Sequence, residues 1–199
     1  DGDPLRLFTN EELPAGTYTG VRLLFDPDQE QSSVTTSAGD TRLRLAAGAF
    51  AAVSFTVEDE QRSREEFTLM LDLRQSLSFD EANDRYTLTP ALRSVRTEDA
   101  ARVEGNVAVV CPAGTVLRDD GAIYLYSGRN VQPDDLDGAD AEPFATTGVS
   151  DSGAAAFRYA LRFLPAGNYT LAFTCRGDEE VPGSSENLDF RNVENFSVE

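Results

Sequence analysis

Short runs of alternating apolar and polar residues make up much of this chain. In one run, Phe157, Tyr159 and Leu161 alternate with Arg158 and Ala160. Comparable alternation occupies positions 19–25, 53–57, 67–73, 86–88, 103–111 and 169–175. A period of two residues is typical of β-strands, and no window of about a dozen residues shows the period of an amphipathic helix. The pattern therefore predicts an all-β chain of roughly a dozen short strands, spaced as in β-sandwiches.

Turn-forming residues separate these runs, and one kind of turn occurs twice. Leu13–Leu24 reads LPAGTYTGVRLL, and Leu164–Cys175 reads LPAGNYTLAFTC. In each copy Pro fixes the direction of the chain and Gly permits a tight turn. The Tyr that follows is expected to bury its ring and to bond its hydroxyl to the backbone. The repeat predicts two β-sandwich domains of immunoglobulin-like or prealbumin-like architecture, at 1–103 and 104–199, with their join at 97–104.

The charged residues exclude several classes of protein. All 17 basic residues are Arg, there are 35 acidic residues, and the net charge is −18. The chain has no Lys, no His and no Trp. Without His it holds no Ser-His-Asp triad and no His-ligated metal, and without Lys it forms no Schiff base and no P-loop. The negative charge also opposes binding to polyanions, so we expect no nucleic-acid partner.

The two cysteines bear on the compartment of the protein. Cys111 ends an alternating run that contains Val107, and Cys175 ends one that contains Leu171 and Phe173, so both sulfurs are expected to face a core. The residues permit two buried free thiols, as in a cytosolic protein, or one disulfide. A bridge over their separation of 64 residues (175 minus 111) would stabilise the fold by ~4 kcal/mol in the chain-entropy model. We favour the disulfide, which predicts an oxidising, extracytoplasmic compartment.

Four segments of the first predicted domain resemble one bacterial family. They read LPAGTYTGVRLLFD, LAAGAFAAVSFTVE, FTLMLDLRQSL and YTLTPALRSV. In order and spacing they resemble the domain-of-unknown-function family 4382 over about residues 5–103. Members of that family are often exported proteins, so the resemblance implies a periplasmic or outer-membrane lipoprotein that contacts the membrane only through a lipid anchor outside this chain. The family pattern also has strands ahead of LPAGTYT, so the resemblance implies that the first domain is N-terminally incomplete here.

The second predicted domain is similar to a broader group of folds. Its segments AIYLYSG, PDDLDGAD and ALRFLPAGNYTLAFTC resemble carboxypeptidase-regulatory or prealbumin-like β-sandwiches. They also resemble the companion domain that follows family 4382 in some proteins. Neither resemblance implies catalytic residues, so no activity follows from either one.

An acidic loop is the candidate metal site. Residues 134–142 read DDLDGADAE, with five carboxylates in nine positions. Calcium binds about six to eight hard oxygens, and clustered Asp residues with a turn-forming Gly supply several of them. Asp135, Asp137 and Asp140 are the candidate ligands, although their spacing is not that of an EF-hand. A solvated loop without a metal is the favoured interpretation. Calcium is the one candidate cofactor, and we expect no other.

Two aromatic residues near the acidic loop are a second candidate site. Tyr124 and Tyr126 flank Leu125, so alternation predicts that both rings face away from the core. Together with Arg129 they would form a ligand face for a carbohydrate. The favoured interpretation is that the rings pack against a neighbouring domain or against the loop at 130–145.

These patterns favour a non-catalytic, exported, envelope-associated protein. It would act as a structural or binding module, with an unidentified envelope protein or glycan as its partner. A calcium- or carbohydrate-binding module is the alternative. Acidic pairs such as Glu179–Glu180 permit a second alternative, a carboxylate-dependent hydrolase. Exposed loops are the favoured interpretation of these pairs, and the chain has no Trp to stack against a sugar ring.

Overall fold

The computed structural model describes residues 5–7, 9–24, 32–45, 48–58, 64–108, 111–112, 120–139, 141–151 and 157–199. Nearly all the regular structure in these ranges is β-strand, and the strands form five sheets. The prediction of an all-β chain is therefore confirmed, and the sheets are consistent with β-sandwich domains.

The first half of the chain contributes three of these sheets and one short helix. Its elements are β1 (Gly16–Leu24), β2 (Ser33–Thr36), β3 (Gly39–Leu45), β4 (Gly48–Val57), β5 (Phe67–Asp72), α1 (Leu73–Ser76), β6 (Leu77–Asp80), β7 (Arg85–Leu88) and β8 (Ala91–Arg96). Strand β1 pairs with β4, and β5 pairs with β8, in both cases antiparallel. The third sheet has the order β2-β3-β7-β6, in which β3 and β7 run parallel. The buried apolar side chains of this half lie on β4, β7 and β8.

The second half contributes two sheets that pack face to face. Its strands are β9 (Ala101–Val107), β10 (Ala122–Ser127), β11 (Ala145–Gly148), β12 (Ser150–Asp151), β13 (Phe157–Leu164), β14 (Gly167–Thr174) and β15 (Arg191–Val198). One sheet has the order β12-β13-β9 and the other β11-β10-β14-β15, and every pair is antiparallel. Leu161 of the first sheet packs in one buried cluster with Leu125 and Phe173 of the second. This arrangement is a β-sandwich with its core between the sheets.

The disulfide lies in this sandwich core. Cys111 and Cys175 are bonded, with 5.7 Å between their Cα atoms. Cys175 is only 5% exposed and belongs to the same buried cluster as Leu171 and Phe173. The favoured prediction of one bridge between two inward-facing cysteines is confirmed, and the alternative of two free thiols is wrong.

The outer face of β10 and β14 is also covered. Ala122, Tyr124 and Tyr126 of β10 are fully buried, and so is Ala172 of β14. They pack against the buried side chain of Leu188. The residues partly buried against this second cluster are Val131, Ala141 and Phe190. Strand β10 is therefore enclosed on both faces, by the opposite sheet on one side and by loop segments on the other.

The repeated PAG-Tyr turn makes the same contact in both halves. The Tyr18 hydroxyl donates to the Pro14 carbonyl at 2.8 Å, and the Tyr169 hydroxyl donates to the Pro165 carbonyl at 2.8 Å. Tyr169 is 3% exposed, and the Tyr18 ring stacks on Phe55 with 5.1 Å between ring centroids. The expected backbone partner of the hydroxyl is confirmed in both copies, whereas the expected burial of the ring is confirmed for Tyr169 and only partly met by Tyr18. Each bond ties the start of a strand to the turn that precedes it.

Within the predicted join, the chain passes from the sheets of the first half to those of the second half. Each pairing between described strands lies within β1–β8 or within β9–β15. A 3₁₀ turn at Thr97–Asp99 separates β8 from β9, and β9 pairs with β13. The boundary expected between positions 103 and 104 lies inside β9, so the change of sheet comes earlier, before Ala101. The division into two domains itself stays a prediction.

One carboxylate is bonded to both halves of the chain. Asp72 is the N-cap of α1 and accepts from the Arg74 and Gln75 amides at 3.1 and 3.3 Å. The same carboxylate accepts from the Thr146 amide at 2.7 Å and from the Thr146 hydroxyl at 2.9 Å. Thr146 lies on β11, an edge strand, whose outward amides have no partner within their own sheet. Asp72 therefore satisfies an edge strand of the second half and a helix start of the first half.

Arg93 makes a second connection between the halves. From β8 its guanidinium donates to the Phe163 carbonyl at 2.6 Å and to the Arg162 carbonyl at 3.0 Å. The register of β13 against β9 shifts between Arg162 and Leu164, and a bulge of this kind releases backbone groups from the ladder. The same guanidinium lies 5.4 Å from the centroid of the Phe144 ring. The junction thus combines charged hydrogen bonds with a cation–π contact.

Replacement of Asp72 by Ala should destabilise the chain through this junction. We expect Asp72→Ala to lower the free energy of unfolding by about 2 kcal/mol, because the partly buried Thr146 donors lose a charged acceptor. Urea unfolding followed by circular dichroism measures the change. Asp80→Ala is the matched control, since Asp80 bonds Asn83 and Arg85 within a single hairpin of the first half. An equal loss of unfolding free energy in both variants would show that the hydrogen bonds of Asp72 across the junction do not add to stability.

Candidate functional site

The described residues of the acidic loop, 134–139 and 141–142, lie over the two tyrosines of β10. The Tyr126 hydroxyl donates to the Asp134 carbonyl and accepts from the Asp134 amide at 3.1 Å. The Tyr124 hydroxyl donates to Glu180 Oε2 at 2.8 Å. Both rings are 0% exposed. The favoured interpretation, packing against the loop at 130–145, is therefore confirmed.

The ligand-face alternative for these tyrosines is wrong. A carbohydrate cannot stack on a ring that has no solvent-exposed surface. Arg129, the third member of that hypothesis, donates to Asn168 at 3.1 Å and to Ser197 at 2.6 Å, at the end of the sheet. Alternation placed the rings on the outer face correctly, but it carried no information about the loops that cover this face.

Burial changes the ionisation of both tyrosines. Removal from water raises the pKa of Tyr124 and of Tyr126 well above the usual value for a phenol. The negative charge of Glu180 raises the pKa of Tyr124 further. Both hydroxyls therefore stay protonated at neutral pH and act as hydrogen-bond donors to the acidic segments above them.

Three carboxylates of the acidic loop converge. Asp134, Asp135 and Asp137 each contribute one oxygen to a group in which all the oxygens lie within 4.8 Å of one another. Two of the three predicted metal ligands, Asp135 and Asp137, are thus brought together, and Asp134 joins them. Asp140, the third predicted ligand, lies outside the described residues.

Asp135 is the unusual member of this group. Its side chain is 1% exposed. Oδ2 accepts a hydrogen bond from the Glu186 amide, whereas Oδ1 is buried and has no hydrogen-bond partner among the described residues. A buried carboxylate oxygen without a partner is unfavourable, because it has lost its water and gained nothing in return.

A second acidic segment, at 180–186, fixes the loop from the other side. Glu180 Oε1 accepts from the Leu136 amide at 3.3 Å, and the Leu136 carbonyl accepts from the Gly183 amide at 2.6 Å. Glu186 adds its amide to Asp135. The exposed-loop interpretation of Glu179–Glu180 fails for Glu180, which is partly buried between Tyr124 and Leu136.

Burial and the charge of these segments raise the pKa values of two carboxyl groups. Burial, and then repulsion by Asp135 and Glu186, raises the pKa of Glu180, although its hydrogen bonds with Tyr124 and Leu136 act in the opposite direction. Partial burial and the three aspartates raise the pKa of Glu142. In both residues burial is the main cause of the raised pKa, and the negative charge of the neighbouring carboxylates adds to it.

Arginine does not neutralise most of this charge. The ion pairs found between described residues involve the arginines at positions 85, 96, 102, 176 and 191. None of these pairs includes Asp135, Asp137, Glu142, Glu180 or Glu186. In the part of the chain that the structure describes, these carboxylates therefore accept hydrogen bonds but form no ion pair with arginine.

One comparison with known proteins found a similarity. Residues 1–90 match the family described as a domain of unknown function, DUF4382. The match supports the resemblance seen in the first half, and it does not extend to residues 104–199, whose prealbumin-like resemblance stays a prediction. No curated protein and no solved structure matched the chain. Among the described residues, no helix is long and apolar enough to cross a membrane.

Removal of the Glu180 charge should stabilise the protein at neutral pH. The pKa of Glu180 is raised above 4.5, so its contribution to stability is fully present below that pH and is lost as the pH rises through the folded-state pKa. We therefore expect Glu180→Gln to raise Tm at pH 7, and the gain to shrink towards pH 4. Thermal unfolding in the presence of a chelator measures this difference.

Glu179→Gln is the control for that experiment. It removes the same charge from the neighbouring residue, but Glu179 accepts from Arg176 at 2.8 Å and its pKa is lowered by this contact. The control should therefore gain no stability at pH 7. A higher Tm in both variants would mean that net charge alone, and not the burial of Glu180, is responsible.

Proposed function

We propose that the protein is a non-catalytic, exported module of a bacterial cell envelope, with a structural or binding role. The observation that carries the proposal is the disulfide between Cys111 and Cys175, in the core of the second-half sandwich. Bridges of this kind persist in oxidising compartments and are rare in the cytosol. The match of residues 1–90 to a domain of unknown function brings no activity with it.

The junction between the halves supports a structural role. Asp72 and Arg93 of the first half are bonded to Thr146 and Phe163 of the second half. Gln75 of α1 also donates to the Pro143 carbonyl at 3.2 Å. Contacts of this number and polarity favour one mechanical unit over two domains on a flexible linker.

The arrangement of the acidic residues supports a role without catalysis. The hydrolase hypothesis needs two carboxylates that flank one substrate bond. Glu179 instead pairs with Arg176, whereas the neighbouring Glu180 bonds the buried hydroxyl of Tyr124. The two side chains serve separate contacts. We propose an envelope protein or a glycan as the partner, and a lipid anchor outside this chain as the link to the membrane.

Cell fractionation combined with thiol labelling tests this proposal. In the bacterium that carries the protein, the chain should fractionate with the periplasm or the outer membrane. After denaturation, which exposes the buried Cys175, a maleimide mass tag should label neither cysteine without reduction and both cysteines with it. A Cys111→Ala/Cys175→Ala double variant, which should take no tag in either condition, controls for non-specific labelling.

Two results would contradict the proposal. A cytoplasmic fraction in which both thiols take the tag without reduction would exclude export. Turnover of a glycoside by the wild-type protein that Glu180→Gln abolishes would exclude a role without catalysis.

A further inference from the structure

The acidic loop has the features of a built cation site. Asp134, Asp135 and Asp137 bring one oxygen each to within 4.8 Å of the others. Acidic clusters on a surface are common without a metal, so this convergence alone decides nothing. The independent observation is Asp135, which is 1% exposed and whose buried Oδ1 has no hydrogen-bond donor in the described part of the chain. A cation beside this oxygen would replace the water that it has lost.

The backbone of the loop is held in place by contacts on several sides. The Tyr126 hydroxyl bonds the peptide groups of Asp134, and the Leu136 carbonyl accepts from the Gly183 amide at 2.6 Å. Asp137 Oδ1 accepts from the Ala139 amide at 2.7 Å and closes a turn. Because these contacts fix the loop, the three carboxylates are positioned without a metal, and binding has little further ordering to do.

We propose that Asp134, Asp135 and Asp137 form a calcium-binding site on the outer face of β10. The site goes beyond the proposed envelope role and does not depend on where the protein is located. It differs from the set expected from the sequence in that Asp134 is a ligand and that the Glu186 amide holds Asp135 in position.

The chemistry of the donors favours calcium over other divalent ions. Each carboxylate carries two oxygens. The two cysteines of the chain are bonded to each other, and the chain has no His, so neither a thiolate nor an imidazole is available as a ligand. Zinc prefers nitrogen and sulfur ligands. Magnesium demands near-ideal octahedral geometry and releases its water reluctantly, whereas calcium accepts irregular sets of oxygens completed by water. An irregular cluster of carboxylates on a loop therefore suits calcium best.

Terbium luminescence provides a direct test. Terbium replaces calcium at oxygen sites and emits when a nearby aromatic ring absorbs light. Tyr124 and Tyr126 contact the segments that carry the carboxylates, and the chain has no Trp to contribute background. We expect terbium emission on excitation of tyrosine, and we expect calcium to displace it with a dissociation constant of about 1 mM or lower.

Three variants decide whether the signal comes from this site. Asp135→Asn and Asp137→Asn should each weaken terbium and calcium binding by about tenfold or more, because each loses one charged ligand. Asp178→Asn removes one charge from an exposed residue of the 3₁₀ turn at Gly177–Glu179, outside the proposed site, and should bind as the wild type does. Calcium should also raise the Tm of the wild type and of Asp178→Asn, but not of the other two variants.

Several results would overturn the proposal. The site does not exist if the wild-type protein shows no sensitised emission and no change of Tm at millimolar calcium. If all three variants bind terbium and calcium equally well, these ions respond to the net charge of the protein and not to a site at Asp135 and Asp137. If circular dichroism shows that Asp135→Asn does not fold, the binding of calcium by Asp137→Asn is the test. The Asp137 side chain is partly exposed, so its replacement should leave the fold intact.

Discussion

The second half of the structure depends on the burial of β10 and β14 on both faces. A sheet of a sandwich usually has one face in the core and one in water. Here the inner face of β10 packs against β13, whereas its outer face carries Tyr124 and Tyr126, both 0% exposed. Two buried phenols need hydrogen-bond partners, since an unsatisfied hydroxyl is costly in a dry environment. The Asp134 peptide group and the Glu180 carboxylate are those partners, and they bring two acidic segments onto the same face of the sheet.

The cover over β10 places an acidic side chain, that of Asp135, almost out of contact with water. A loop that packs over apolar rings excludes water from its lower side, so a carboxylate that points inward loses solvation. Asp135 is in this position, and only one of its two oxygens has a hydrogen-bond partner among the described residues. The fold thus positions negative charge in a place where a cation stabilises it, in a chain whose net charge is already −18. The disulfide in the core of the sandwich is compatible with the proposed export, and extracellular fluids commonly hold calcium at concentrations that weak sites use.

Most of the fold could be predicted from local patterns, and the candidate site only in part. Alternation indicated strands such as β1, β5, β13 and β14 and the inward-facing cysteines, whereas β2, β11 and β12 lie outside the alternating runs. The repeated turn indicated a backbone partner for Tyr18 and Tyr169. The cover over Tyr124 and Tyr126 could not be predicted, because a period of two residues assigns a face without saying what packs on it. The contact between Leu136 and Glu180 joins segments 44 residues apart, and the periodicity of a sequence does not indicate which distant segments pack together. The sequence offered one indication of this cover, which is a pair of tyrosines on an outer strand face in a chain half with two acidic loops.

Hydroxyl-radical footprinting with mass spectrometry tests the cover over β10 most directly. The rates of oxidation of Tyr124 and Tyr126 in the folded protein are compared with those of Phe50 and Phe79, which are 57% and 41% exposed. We expect the two tyrosines to be protected until the protein unfolds, whereas both phenylalanines react in the folded state. Oxidation of Tyr124 and Tyr126 in the folded protein at the rate of the exposed phenylalanines would contradict this expectation, since the acidic segments would then not cover this face.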